Sequence, residues 1–360
     1  MDKPDLSNYS LRLVSETHNL IKASYGSWKS WGVRDAAIIC DKDGTFTLED
    51  GHLTMLYTGS SKKGKLQQTG MVRSTAPFTT WLSKSQNPVI KVSRKAWDSW
   101  VASTPWAVKL ENEYILFYRG SVEAGKSDSI GLAISSDGNS FTKYFDNPIL
   151  TSDDFHGMRS FPSEMGVLNA VENYQGELMI FFEAVETNYS GRAQIFGAIS
   201  KDRRNFKAMN DGFPVFSSRN VKTWPIMSAC NPRVIKLDRG WFMLGFNGSY
   251  EGEHSLGIAF TKDFNAWFEH PDNPVLVPRG LPNLGKMTHR IEGPCFDRAA
   301  IIEGHKNIDC FVMQIPRGGI NHQYANNSKL VFEKIKYQSH FNGIRIKSNA
   351  SNDHAFSNNI

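Results

Sequence analysis

Cysteine is scarce in this chain of 360 residues. There are four, Cys40, Cys230, Cys295 and Cys310, with no CxxC pair and no histidine at zinc spacing. That excludes the common zinc and thiol-redox motifs. The apolar surroundings of Cys40, Cys230 and Cys310 read as buried thiols rather than bridges. No apolar run approaches the length of a membrane span, and the N-terminus MDKPDLSNYSLRLV has no apolar signal core. The chain as given is therefore expected in the cytoplasm. An excess of one charge is also lacking: 41 Lys and Arg face 36 Asp and Glu, a net charge of +5. Without a dense basic run or interleaved basic and aromatic residues, a nucleic-acid partner is not expected. Nothing in the pattern calls for a metal or a cofactor.

What is present is repetition. Gly70, Gly131, Gly197 and Gly257 recur every 60 to 66 residues, each opening a run of small apolar residues. An aromatic follows nine to eleven positions later, at Trp81, Phe141, Phe206 and Trp267. A closing dipeptide comes next: Asn87-Pro88, Asn147-Pro148, Phe213-Pro214 and Asn273-Pro274. The clearest copy runs from Ser103 to Leu150, with apolar runs at Trp106–Val108, Tyr114–Tyr118, Ile130–Ile134 and Phe141–Tyr144. β-Branched and aromatic residues between Gly, Asp, Asn and Ser punctuation are the strand signal. Four strands per repeat favour a propeller over a solenoid.

The expectation is an all-β, five-bladed β-propeller with four-stranded antiparallel blades around a central channel. It occupies residues 31–337 as one domain. A degenerate last blade is read at Cys295-Phe296, Ala299–Ile302, Asp309–Gln314 and Lys329–Ile335. Residues 1–30 form an N-terminal segment in which Leu11–Val14 is the candidate strand for closing the ring. Residues 338–360 are polar and read as a mobile tail.

In a propeller the residues leading into the first strand of each blade converge on the channel mouth. Aligning the repeats there selects Asp35, Thr104, Glu164, Asn231 and Glu292, each just before an apolar run. Singly, such residues commonly bind neighbouring backbone. Together they point to a site, because clefts concentrate polar groups. Two carboxylates across a pocket are the equipment for cleaving a glycosidic bond.

These repeats resemble the five-bladed propeller glycosidases: glycoside hydrolase families 43, 32, 62, 68, 117, 130 and their relatives. The resemblance spans about Trp31 to Lys336. It rests on the Glu-Gly-Pro or residue-Pro lead-in, Tyr-Ile-Leu-Phe-Tyr, Ile-Gly-Leu-Ala-Ile-Ser-Ser-Asp-Gly and Asn-Pro-Ile-Leu. It implies a carbohydrate substrate, with Asp35 as base or nucleophile and Glu164 as general acid. Glu292 is a further carboxylate. Where those families place a second Asp this chain has Thr104, which can hydrogen-bond but supplies no negative charge. Arg34, Arg159, Arg233, His289 and Arg290 flank the mouth positions. They suit an anionic or phosphorylated sugar, and they equally suit neutralising the carboxylates. Trp106 is a candidate for stacking on a sugar, against the commoner role of packing between blades. Three readings stay open: hydrolysis, glycosyl transfer or phosphorolysis on an activated sugar, and a non-catalytic glycan-binding propeller.

Overall fold

The structure, a computed structural model, describes residues 10–13, 17–22, 26–30, 32–61, 66–75, 81–83, 86–122, 128–158, 165–187, 192–237, 239–250, 253–274, 288–296, 308–316, 329–333 and 344–347. For 10–13, 17–22, 32, 34, 167, 250, 253–254 and everything from 288 onward, only the backbone is described.

Antiparallel strands in sets of four make up most of the described strands. The first unit is Gly32–Ile38, His52–Ser61, Leu66–Thr75 and Leu82–Ser83. The second is Val101–Lys109, Tyr114–Ser121, Ser129–Ser135 and Thr142–Lys143. Met165–Glu172, Leu178–Val185, Ala193–Ser200 and Lys207–Ala208 make the third. The fourth is Ser228–Lys236, Phe242–Tyr250, Glu253–Thr261 and Phe268–Glu269. Among the described residues there is no α-helix.

The last strands depart from expectation. Cys295-Phe296 ends a longer strand, Thr288–Phe296, which pairs with Ile308–Pro316 and through it with Lys329–Glu333. Ala299–Ile302 lies outside the described residues. The set is completed by Thr17–Lys22, paired to Lys329–Glu333. Ser10–Leu13, overlapping the strand expected to close the ring, pairs instead with Ile344–Lys347. That partner belongs to the stretch read as a mobile tail; it also pairs with Ile308–Cys310.

The second and third strands of each unit are buried almost end to end, as in the pattern of Tyr114–Ser121. Strands covered on both faces lose polar alternation and become continuous apolar runs. The repeat aromatics cement neighbouring units. Phe206 meets Phe117 edge-on at 5.6 Å, and Trp267 packs on Phe216 at 4.9 Å while its Nε1 donates to Val215 O at 2.7 Å.

The closing dipeptide has a defined task. Asn147 Oδ1 accepts from Leu132 N–H and its Nδ2 donates to Leu132 O, both at 2.8 Å. Asn87 does the same to Met71, and Asn273 to Ile258. One side-chain amide thus stands in for a missing strand and satisfies both backbone groups of the residue after the repeat glycine. The glycines admit a neighbouring ring. A Cβ on Gly131 would lie 2.7 Å from Trp97 and Tyr118, which stack on each other at 5.7 Å.

Candidate functional site

Each inner strand slips register at one comparable place, so that two of its residues face one residue of the second strand, and Thr288–Phe296 slips a second time between Thr288 and Arg290. The pairs are Asp35-Ala36 facing Tyr57, Thr104-Pro105 facing Tyr118, Val167-Leu168 facing Phe182, Asn231-Pro232 facing Phe246, and Gly293-Pro294 facing Val312. These are β-bulges, which re-aim a side chain and tolerate a proline because the ladder is already broken there. Asp35, Thr104 and Asn231 have φ of 51°, 47° and 52°. Asp and Asn visit this left-handed region more readily than most residues, whereas a β-branched Thr there is strained by roughly 1–3 kcal/mol.

Asp35, Thr104 and Asn231 therefore hold one equivalent position, as the sequence suggested, although in the middle of strands rather than ahead of them. Val101–Lys109 begins well before Pro105. In the third and fifth sets the alignment shifts: the bulge falls on Val167 and Gly293, not on Glu164 and Glu292. Glu292 stands one residue before its bulge, level with Arg34, Ser103, Gly166 and Cys230. Glu164 and Arg159 lie outside the described residues. So do the side chains of Arg34, His289, Arg290 and Glu292.

The level just before the bulge is where units are joined. On the second strands it holds Thr58, Arg119, Glu183 and Asn247. Thr58 Oγ1 accepts the backbone N–H of Thr104 at 2.9 Å, and Glu183 Oε2 accepts that of Asn231 at 3.0 Å. Glu183 is a half-buried carboxylate that the sequence reading missed. Arg119 instead pairs with the fully buried Asp128 at 2.9 Å.

Arg233 is buried, 3% exposed. Its Nη1 donates to Leu168 O and Pro232 O at 3.0 and 2.7 Å, and its guanidinium lies 4.7 Å from the centre of the Trp106 ring. Trp106 is itself 1% exposed. The expected anion contact and sugar platform are thus a cation–π pair inside the core.

The opposite end of the inner strands is covered. The turn at Asp41–Thr45 reaches out of the first unit, and Cys40-Asp41 pairs in parallel with Val108-Lys109. Glu172 N–H donates to Lys42 O at 2.6 Å, and Lys236 N–H to Asp43 O at 2.8 Å. Lys42 also pairs with Glu111 at 2.7 Å, and this hydrogen bond holds the Glu111 carboxyl down to about 2. One turn is thus fastened to three other units, roughly 17–20 Å along the strands from the bulges.

Among the described residues no cluster of His, Cys, Asp or Glu could hold a metal ion, and no helix is long and apolar enough to cross a membrane. The Cys40 and Cys230 thiols are buried and in no disulfide.

No protein-family profile matches the chain, and no curated protein matches it by sequence. Solved structures do match. One titled a glycoside hydrolase is 12% identical and superposes with a TM-score of 0.65 over 93% of this chain and 92% of the other. A glycosyl hydrolase from Bacteroides ovatus is 14% identical, with a TM-score of 0.62 over 95% and 98%. The catalytic domain of the Coprinopsis cinerea GH62 alpha-L-arabinofuranosidase is 12% identical, with a TM-score of 0.58 over 95% and 98%. At such identities the likeness is one of fold. This chain has the all-β fold of these glycoside hydrolases.

Proposed function

We propose that the chain is a five-bladed propeller enzyme that cleaves a glycosidic bond at the bulge end of its inner strands. The ring is supported by contacts between consecutive inner strands, including Thr288–Phe296 against Gly32–Ile38, and by the N-terminal strand in the last set. The observation that carries the site is the recurrence of polar, left-handed bulge residues, Asp35, Thr104 and Asn231, at one level of the units. Evolution of a strained Thr in a strand is hard to explain by packing, and strain of this kind gathers at functional sites.

In this reading Glu164 is the general acid. Its sequence position leads directly into Met165–Glu172 at that strand's bulge end. Its proton goes to the glycosidic oxygen as the carbon–oxygen bond breaks and the electron pair leaves with that oxygen. Asp35 either takes a proton from the water that attacks the anomeric carbon, or attacks that carbon itself. In the second case Glu164, now ionised, deprotonates the water that releases the sugar. Glu292 is a further carboxylate for the same mouth.

Thr104 favours a second reading. Without the Asp expected there, the site lacks one negative charge for orienting the acid, which suits glycosyl transfer, phosphorolysis or glycan binding alone. Assaying the wild type on a panel of aryl glycosides, oligosaccharides and sugar phosphates separates these. Hydrolytic turnover supports the first reading. Turnover only with phosphate or an acceptor sugar supports transfer, and binding without turnover supports the binding module.

A further inference from the structure

Glycines on the second and third strands are explained by packing. A Cβ on Gly59, Gly70, Gly120, Gly131, Gly248 or Gly257 would come within 2.0–2.7 Å of an aromatic ring. Gly166 is different. A Cβ there would lie 3.6 Å from Arg119 Cδ, 3.9 Å from Thr104 Oγ1 and 4.0 Å from Arg119 Nη1, all ordinary contacts, and its φ is not left-handed. Neither crowding nor backbone conformation requires glycine. The other inner strands carry a side chain at this level: Arg34, Ser103, Cys230 and Glu292.

The groups around Gly166 are polar and held in place. Arg119 is fixed by Asp128, whose side chain is 0% exposed. Arg119 Nε has no hydrogen-bond partner among the described residues. Neither has Thr104 Oγ1, on a residue 4% exposed. Glu183 is the register partner of Gly166 on the neighbouring strand. Buried polar atoms are normally satisfied, so an unpartnered hydroxyl beside an unpartnered guanidinium nitrogen calls for a ligand.

We propose that Gly166 leaves a notch for a hydroxyl or hydroxymethyl group of a neutral sugar, held by Arg119 and Thr104. This rests on reading the mouth as a carbohydrate site. A hydroxyl suits the notch because it both accepts from Arg119 and exchanges a hydrogen bond with Thr104 in either direction. A sugar carboxylate or phosphate suits it poorly. The Arg119 charge is already met by Asp128, and Glu183 stands on the adjoining strand, so no uncompensated cation remains among these groups.

The test is titration calorimetry of the wild type with L-arabinose, D-xylose, D-galactose and their single deoxy analogues, repeated on Gly166→Ala and Thr104→Val. The proposal expects Gly166→Ala to keep the wild-type melting temperature and to weaken the best-bound sugar about tenfold, as for one displaced hydrogen-bonded group. It also expects Thr104→Val to become indifferent to one deoxy substitution that weakens binding to the wild type. Wild-type affinity in Gly166→Ala would overturn the notch while leaving the sugar site standing. A melting temperature several degrees lower in Gly166→Ala would make this another packing glycine and overturn it too. Equal sensitivity of wild type and Thr104→Val to every deoxy analogue would mean that only water fills the space. If the wild type binds none of these sugars, the reading of the mouth fails and the notch with it.

Discussion

Glu183 accepts the backbone N–H of Asn231 at 3.0 Å, and so holds a bulge residue of the fourth unit from the second strand of the third. Thr58 does the same for Thr104 between the first and second units. A bulge leaves its N–H without a ladder partner, and the neighbouring unit supplies one. Glu183→Ala removes the acceptor from a buried donor. The expected cost is about 1–3 kcal/mol in urea unfolding. Glu183→Gln keeps an acceptor oxygen and should lose less than half of that.

Asn147→Ala should be more damaging than a surface position would suggest. It orphans the N–H of the fully buried Leu132 and takes one of two donors from its C=O, which keeps the Tyr144 N–H at 2.8 Å. The expected loss is about 1–3 kcal/mol. Asn147→Asp retains the acceptor and loses the donor, so its unfolding midpoint should fall between those of the wild type and Asn147→Ala.

The repeat was legible because its landmarks answer local demands. Gly131 must admit the Trp97 ring, and Asn147 must clamp Leu132, so the glycine recurs in the first, third and fourth units and the Asn in the first and fourth. The level of the mouth residues was legible only in part, because a bulge is defined by the partner strand. Glu164 and Glu292 were matched to Asp35 as polar residues ahead of apolar runs, and the pairing sets the bulges at Val167 and Gly293. The second strands held the better signal. Tyr57-Thr58-Gly59, Tyr118-Arg119-Gly120 and Phe246-Asn247-Gly248 align with Phe182-Glu183-Ala184. That alignment finds both the register and Glu183. Trp106 and Arg233 misled for another reason: near the mouth in sequence, they turn inward and meet each other.

Strain at Thr104 is measurable. Asn231 takes the same left-handed conformation at the equivalent position, and Asn tolerates it better than a β-branched residue does. Thr104→Asn should therefore stabilise the fold by about 1 kcal/mol. It should also weaken sugar binding if the hydroxyl is used. A higher unfolding midpoint with unchanged sugar affinity would leave the strain without a functional purpose.

The turns between third and fourth strands make the fold sensitive to acid. Asp137 accepts the backbone N–H groups of Ser140 and Asn139 at 3.0 and 2.8 Å, which hold its carboxyl down to about 2, below the ordinary 3.8. Asp202 is lowered by the Asn205 side chain, and then by the backbone N–H groups of Asn205 and Arg204. A carboxyl depressed in the folded state contributes stability that is fully present above its unfolded value and is lost as pH falls through the folded one. Asp137→Asn keeps the shape and an acceptor but carries no charge. It should be less stable than the wild type near neutral pH, with the gap closing as pH drops from about 4 toward 2. Urea midpoints measured across that interval give the comparison. A gap that stays constant would mean the charge contributes nothing.

The catalytic assignment makes a prediction about leaving groups. A general acid matters in proportion to how badly the departing oxygen needs a proton. Glu164→Gln should therefore slow cleavage of sugar and alkyl leaving groups by about a hundred- to ten-thousandfold. It should scarcely affect dinitrophenyl glycosides, whose leaving group departs without protonation. Asp35→Asn removes the base or nucleophile, which every substrate needs, and should slow both kinds alike. Glu183→Gln separates the roles of the two glutamates. As a bracket for Asn231, Glu183 should change KM and stability with no dependence on the leaving group. If the leaving-group dependence appears in Glu183→Gln and not in Glu164→Gln, the acid is Glu183, and the hydrogen bond from Asn231 is what aims it. If neither variant shows it while Asp35→Asn retains full turnover, the carboxylate mechanism at this mouth is wrong.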